Sequence, residues 1–446
     1  MQNCGSSDFL VEMDAPCQHT PRGVTQSDAY EIISAMNLEE HYSRLLGIGE
    51  EWCVDRVILD PENTRVDIFL EYKVKCAPCP ECGLLSSIHD RQNERVWRHL
   101  DTMQFVTLIH ACPPRCKCRE HGVKVIDLPW AEKGAHFTML FEAFAIEVLR
   151  RVRSDKDAEK LLKLSWDQVQ RIKERAVERG LARRDAEEIA FVGMDEKSFL
   201  AGREANAFAC LMTDIDKGRV LDVARGRSED GAKQLIDKAL NPVQQCLVCG
   251  VAMDMSAPFV KAVRENLPFA DIVFDKFHLM KHLGDAVNEV RKAEHEKLLK
   301  QHDRRLSKTR FLWLKGFEHL SPESQKHLKG LVAAELQTGK AWGLKEAFGE
   351  FWKRRDKDFA RSFFKRWFDE VIASGLKPMI KVARMFKRHI KGILQWYDTF
   401  IDNAMTEGFN SKIQAIRVGA RGFRNFENYR VAILFNCGKL DMHPIV

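Results

Sequence analysis

"VCGVAMDMSAPFVKAVRENLPFADIVFDKFHLMKH" runs from Val248 to His282, and its reading decides the fold. The small apolar run Val248–Met253 ends in a carboxylate, Asp254. A stretch with helical spacing follows. A second apolar run, Ala270–Phe274, then ends in another carboxylate, Asp275. Short apolar runs of this kind read as buried strands. A buried charge is costly unless it is paired or holds a metal. Acids at the ends of two core strands therefore need a reason.

A third strand repeats the pattern upstream. "EIAFVGMDEKSF" (Glu188–Phe199) places Asp195 at the end of an apolar run. A hairpin follows, "ANAFACLMTDIDKGRVLDVARGR", with its turn at Asp216–Gly218. A helix, about Glu229 to Leu240, leads into the strand that ends in Asp254. The order is strand with acid, two antiparallel strands, helix, strand with acid. That order fits a ribonuclease-H-like α/β core, in which the ends of neighbouring central strands bring Asp195 and Asp254 together. Two carboxylates held so close repel unless a cation lies between them. Hard oxygen donors with open coordination positions suit Mg2+ or Mn2+. Glu407, in the helical stretch "AMTEGFNSKI", is the third acid selected. Three acids could hold two metals about 4 Å apart for an in-line displacement at phosphorus. Asp275 and His278, in "DKFH", are read as supporting: a hydrogen-bonded pair, a helix N-cap or a DNA contact. Lys197, just after the first acid, is a candidate phosphate contact, or a plain surface lysine.

The cysteines make a second cluster. "CAPCPECG" holds Cys76, Cys79 and Cys82, and "RCKCREHG" holds Cys116, Cys118 and His121. Two knuckles separated by a strand-forming stretch are a zinc-ribbon arrangement, since zinc takes four N/S ligands in a tetrahedron. The expected set is Cys79, Cys82, Cys118 and His121, because "CPECG" and "CREHG" mirror one another and each ends in Gly, which the tight turn needs. Cys76 and Cys116 are spare and could substitute. The site would be structural. By contrast, "CLVC" (Cys246–Cys249) is placed within the apolar strand, its two thiols on opposite faces and not ligating. Of the rest, "DPEN" between alternating stretches in 52–75 predicts a β-hairpin.

"SDKDAEKLLKLSWDQVQRIKERAVERG" (Ser154–Gly180) reads as two helices around a tight turn. Ser165 and Gln168 form a capping box. Val169, Ile172 and Ala176 form the inner stripe, and Arg171, Lys173 and Arg175 are the candidate DNA contacts of a groove-entering second helix.

The whole chain has 446 residues and a net charge of +6, with 45% hydrophobic and 30% charged residues. That fits a soluble multidomain protein. No apolar run is long enough to span a bilayer, and the N-terminus lacks a signal-peptide pattern. The protein is therefore expected in the cytoplasm, on the nucleoid, with its thirteen cysteines reduced. Lys and Arg interleave with aromatics in "RSFFKRWF" and "ARMFKRHIKGILQWY", which suits a polyanion, although either could be a solvated helix face.

With these motifs in hand, the chain resembles the DDE transposases of bacterial insertion sequences, the ISL3 family. The matching residues are "CPECG", Val96–Gly122, "LPWAEKGAHFT", "GMDEKSF", Val251–His282 and "TEGFNSKIQAIRVGARGFRNF". The resemblance implies an α+β multidomain protein with a zinc ribbon, a helix-turn-helix and a ribonuclease-H-like catalytic core. It also implies a large all-helical insertion between the second Asp and the Glu. The family's acidic triad falls on Asp195, Asp254 and Glu407, and an Asp-x-x-His pattern on Asp275 and His278. Cys116, an extra cysteine beside the second knuckle, departs from the family pattern. The expected divisions are a flexible extension (1–40), a zinc-binding DNA-binding domain (41–130), a helix-turn-helix (131–185), the first part of the core (186–280), the helical insertion (281–395) and the part carrying the Glu (396–446).

The implied activity is metal-dependent cleavage at the terminal inverted repeats, followed by strand transfer into target DNA. Cutting and joining two ends calls for a homodimer or larger synaptic complex. The rivals are a metal nuclease that does not join and a catalytically dead DNA-binding regulator. The tryptophans of the insertion, Trp313, Trp342, Trp352, Trp367 and Trp396, are expected mostly in its core, with the insertion itself clamping DNA.

Overall fold

The computed structural model describes residues 37–184, 187–199 and 207–445. The extension expected for 1–40 lies almost wholly outside them. The chain divides into two compact units, one up to Phe144 and one of Ala145–Pro444.

The first unit holds α1 (Leu38–Leu46) and eight strands: β1 (Trp52–Asp60), β2 (Arg65–Tyr72), β3 (Cys76–Pro78), β4 (Leu85–Arg91), β5 (Arg95–Thr102), β6 (Phe105–Ala111), β7 (Pro114–Cys118) and β8 (Gly122–Val125). They form two four-stranded sheets, ordered β1-β2-β6-β5 and β3-β4-β7-β8. β1 and β2 are the hairpin expected around "DPEN". Asp60 closes its turn, accepting from the Asn63 amide at 3.0 Å and from its side chain at 2.7 Å. The core is aromatic, with Trp130 edge-on to both Trp52 and Trp97.

Next in the chain come α2 (Met139–Arg151), α3 (Asp155–Leu162) and α4 (Trp166–Arg184). The predicted capping box of α4 is present. The Ser165 amide donates to Gln168 Oε1 at 2.8 Å, and the Gln168 amide to Ser165 Oγ at 3.4 Å. Val169, Ile172 and Ala176 are fully buried, as their spacing predicts.

The second unit is built on a five-stranded sheet of β9 (Phe191–Ser198), β10 (Phe208–Asp214), β11 (Arg219–Arg225), β12 (Gly250–Met253) and β13 (Asp271–Phe274). Its order is β11-β10-β9-β12-β13. The first three strands are antiparallel, and β12 and β13 run parallel to β9. Helices α5 (Glu229–Ala239), α6 (Pro242–Leu247) and α7 (Ala257–Asn266) come from the connections before and after β12. One correction concerns Cys246, which lies on α6 and not in a strand. Asn241 and Pro242 start that helix with a capping box to Gln244, and β12 begins only at Gly250. Cys246 and Cys249 are both exposed.

From Asp275 the chain is helical: α8 (Lys276–Lys300), α9 (Arg310–Leu314), α10 (Pro322–Ala333), α11 (Gln337–Gly349), α12 (Lys357–Ala373), α13 (Lys377–Leu394) and α14 (Trp396–Thr399). Trp313, Trp352 and Trp367 are buried in one apolar cluster, and Trp342 and Trp396 pack against it. Trp313, Trp352 and Trp367 are thus core, and Trp342 and Trp396 are half-buried at its margin. Two further helices, α15 (Ala404–Gly419) and α16 (Phe426–Cys437), return to the sheet. Arg430 on α16 forms a two-pronged pair with the buried Asp222 of β11, at 2.6 and 2.7 Å.

Gly193 explains how closely α15 approaches. A Cβ there would fall within 2.4–2.6 Å of Thr406 Oγ1, Asn403 Oδ1 and Thr213 Oγ1. Only a residue without a side chain lets the start of α15 lie on β9. Thr406 and Thr213 hydroxyls then meet at 2.7 Å. None of the helices among the described residues is long and apolar enough to cross a membrane.

Candidate active site and metal centres

The acids of three adjacent strands form a row: Asp254 and Asp275 lie just past β12 and β13, whereas Asp195 is inside β9 and not at its end as the sequence predicts, because β9 continues to Ser198 along β10. β9 pairs in parallel with β12 through Ala252 and Gly193, and β12 with β13 through Met253 and Phe274. Continuing that register places Asp195, Asp254 and Asp275 side by side at one edge of three adjacent strands. Asp195 and Asp275 are buried and Asp254 is half-buried. Asp195 accepts from the Glu196 amide at 2.8 Å, Asp254 from the Met255 amide at 2.6 Å, and Asp275 from the Phe277 amide at 3.3 Å as the N-cap of α8.

Helix α15 brings Glu407 to this edge. Ligand atoms of Glu407, Asp275 and His278 all lie within 4.8 Å of one another. Glu407 thus sits closest to the pair expected only to support the site, and Asp195 and Asp254 do not join that tight group. The physical reason is charge. His278 Nδ1 lies 2.8 Å from Asp275 Oδ2, and this bond, with the Asp254 and Asp195 carboxylates nearby, raises its pKa. His278 therefore stands beside both Asp275 and Glu407. Burial and the Asp275 and Asp195 carboxylates push Glu407 up to about 7.

Asn410 was missed from the sequence. One turn beyond Glu407 on the same face of α15, it donates to Asp195 Oδ2 at 2.7 Å. The i, i+3 spacing in "EGFN" was the available signal. Glu407 Oε1 and Asn410 Oδ1 are buried without a hydrogen-bond partner. Buried polar atoms are rarely left so. Clustered carboxylate oxygens, a raised Glu407 and orphaned oxygens fit a divalent cation as the missing partner.

The predicted DNA contacts divide. Arg171 is exposed on α4. Lys197 is half-buried on β9. Lys173 is a correction: it is buried, ion-paired to Asp155 of α3 and set over the Phe435 ring, so no phosphate reaches it. Arg175 is only half-buried, with the exposed Arg171, Glu174 and Glu178 around it on α4. The helical wheel placed these side chains on the surface, because the wheel alone does not show α16 packing onto α4.

In the first unit, Cys79, Cys82, Cys118 and His121 have their ligand atoms mutually within 4.8 Å. The Cys82–Cys118, Cys118–His121 and Cys79–His121 separations are 3.7, 3.6 and 3.9 Å. A zinc tetrahedron with Zn–S bonds of about 2.3 Å has edges of about 3.8 Å, so the four fit. Gly83 and Gly122 close the knuckles at φ +72° and +70°. The amides of His121 and Glu120 hold the Cys118 thiol down to about 6, toward the ligating thiolate. Cys76 and Cys116 lie outside the cluster. Burial pushes the Cys116 thiol up.

Comparison with known proteins gives the family. A transposase family model matches residues 192–433, more than half of the chain. The chain belongs to the ISL3 transposase family. A zinc-finger model of the transposases of IS204, IS1001, IS1096 and IS1165 matches residues 75–121. A helix-turn-helix model of the ISL3 family matches residues 126–177. The chain is 23% identical over 403 residues to the transposase for insertion sequence element IS1001 of Bordetella parapertussis, covering 89% of this chain and 98% of that one. It is also 23% identical over 372 residues to the transposase for IS1557 of Mycobacterium tuberculosis strain CDC 1551, covering 78% and 82%.

Proposed function

We propose that this ISL3 transposase binds the terminal inverted repeats of its own element, cuts there, and joins the freed 3′ ends to target DNA. Asp195, Asp254 and Glu407 are the catalytic acids, on a ribonuclease-H-like core suggested by the strand order. The observation that carries the reading is the row of carboxylates on three adjacent strands beside Glu407, whose helix is seated on β9 at Gly193. Bound Mg2+ or Mn2+ would activate the attacking oxygen and stabilise the leaving oxygen.

The chain's own residues prepare that edge. The Glu196 and Met255 amides fix one oxygen each of Asp195 and Asp254. Asn410 holds the other Asp195 oxygen and so couples α15 to β9. Asp275 and His278 restrain one another beside Glu407. Arg171 at the start of α4, with Lys197 near the acids, would set phosphate register. The Cys3His cluster would hold structural zinc, its four positions all filled by protein. Two ends are joined together, which calls for a homodimer or larger synaptic complex.

The test is incubation of the zinc-loaded chain with duplex carrying the DNA that flanks its own gene, plus Mg2+. The expected result is a cut at the element boundary leaving a 3′-hydroxyl, followed by joining of pre-cut ends to a second duplex. Cleavage without joining identifies a nuclease. Binding without cleavage identifies a regulator.

A further inference from the structure

Helix α13 carries a feature that the catalytic reading does not use. Its sequence, KPMIKVARMFKRHIKGIL, contains no Asp or Glu. Met379, Ala383, Phe386, Ile393 and Leu394 face the apolar cluster and are buried. On the opposite side Lys377, Lys381, Arg384, Arg388 and Lys391 are exposed. Their spacing of i, +4, +7, +11 and +14 keeps them on one stripe. The stripe spans about 21 Å at 1.5 Å per residue. Charged residues on an ordinary solvated helix alternate in sign; these do not.

The helix is also aimed. Gln395, just past its end, donates to Asp271 at the start of β13 at 2.7 Å. A Cβ on Gly392 would lie 2.6 Å from the Phe274 ring, so α13 lies tight on β13. His389 meets the Phe274 ring edge-on at 5.1 Å, beside Asp275. α13 therefore runs antiparallel to β13, and its first twelve residues extend about 18 Å beyond the carboxylate edge of the sheet. Where it passes that edge, burial together with Arg388 and Arg264 lowers the His389 pKa while Asp254 raises it, which puts these groups in one neighbourhood. Arg264 is itself exposed, on α7.

We propose that the exposed stripe Lys377–Lys381–Arg384–Arg388 is a phosphate-binding ridge that guides duplex DNA into the carboxylate edge. It binds without regard to sequence. Helix α13 has no Asn or Gln to read an adenine edge, and its cations sit on long flexible stems that suit phosphate oxygens. The duplex it fits is the flanking or target DNA, whose sequence varies. The proposal rests on the transposase reading for the role of that duplex, but not for its binding.

The experiment uses the full zinc-loaded chain and the quadruple variant Lys377→Gln/Lys381→Gln/Arg384→Gln/Arg388→Gln. Affinity for a duplex of the element end and for a scrambled duplex is measured across a salt series without Mg2+. Each lost phosphate contact removes about 0.9 from the slope of log K against log salt, so the slope should fall by up to about 3.6. The fall should be equal for both duplexes. Lys377→Arg/Lys381→Arg should keep the wild-type slope. An unchanged slope in a variant with wild-type circular dichroism, or a loss confined to the element-end duplex, overturns the ridge. A wild-type chain that binds both duplexes but never cuts an element end would sink the transposase reading and leave the ridge standing.

Discussion

Among the described residues two clusters of side chains could hold a metal, and they are built in opposite ways. Cys79, Cys82, Cys118 and His121 come from two short turns, with a positive-φ glycine closing each. Their separations of 3.6–3.9 Å already match a tetrahedron. Asp195, Asp254, Asp275 and Glu407 come from three adjacent strands and a returning helix, 212 positions apart from first to last. That cluster leaves Glu407 Oε1 and Asn410 Oδ1 without partners. A closed set of soft ligands is what a structural ion needs. A loose set of like charges with spare oxygens needs an ion and leaves room for a substrate.

The comparison breaks most visibly if one of the strand acids is dispensable. Asp195→Ala and Asp254→Ala should each lower single-turnover cleavage of an element-end duplex by about a thousand-fold or more, with circular dichroism unchanged. Removing a ligand from the other cluster should act on folding instead. Cys82→Ser should lose bound zinc, counted by colorimetric titration, and with it the order of the first unit, whereas Cys116→Ser should keep the zinc. A smaller effect sharpens the open cluster. Asn410→Ala should weaken cleavage by about 10- to 100-fold, because Asp195 loses an orienting bond, while duplex affinity holds.

The pH dependence follows from Glu407. Its folded-state pKa of about 7 lies above the ordinary 4.5, so the folded chain keeps a proton that the unfolded chain releases. Divalent-free protein should therefore lose stability as pH rises from about 4.5 to 7. His278, raised from 6.5, acts in the same direction above that value, since the proton it favours in the fold is lost there. Millimolar Mg2+ should flatten the melting-temperature profile. A profile that rises with pH in the absence of Mg2+ would contradict this arrangement. The smallest effects separate two residues of α4. Lys173→Met should cost about 1 kcal/mol of stability, since Asp155 loses its ion pair but keeps the Gln170 hydrogen bond, without changing the salt dependence of DNA binding. Arg171→Gln should reduce the salt slope by about 0.9 and leave the melting temperature alone.

Much of this was legible in the residues. Alternating apolar and polar stretches gave the hairpin around "DPEN", and Ser165 with Gln168 gave the start of α4. Mirrored knuckles gave the four zinc-ribbon positions, because each pair of ligands is set by its own short turn. What stayed hidden depends on packing between distant segments. Lys173 looked exposed until α16 covered that face. Cys246 looked like strand until the Asn241 cap started a helix. Asn410 gave no sign of its bond to Asp195, 215 positions away. Glu407 was placed at the acidic edge, but its closeness to Asp275 and His278 depends on where α8 begins and on the charge of one imidazole.

Mn2+ binding to the full zinc-loaded chain, counted by electron paramagnetic resonance, tests the central claim most directly. The account predicts that the wild type binds Mn2+ with high affinity at the strand edge, and that Asp195→Asn, Asp254→Asn and Glu407→Gln each lose that binding. A Glu407→Gln chain that binds Mn2+ as the wild type does would contradict it.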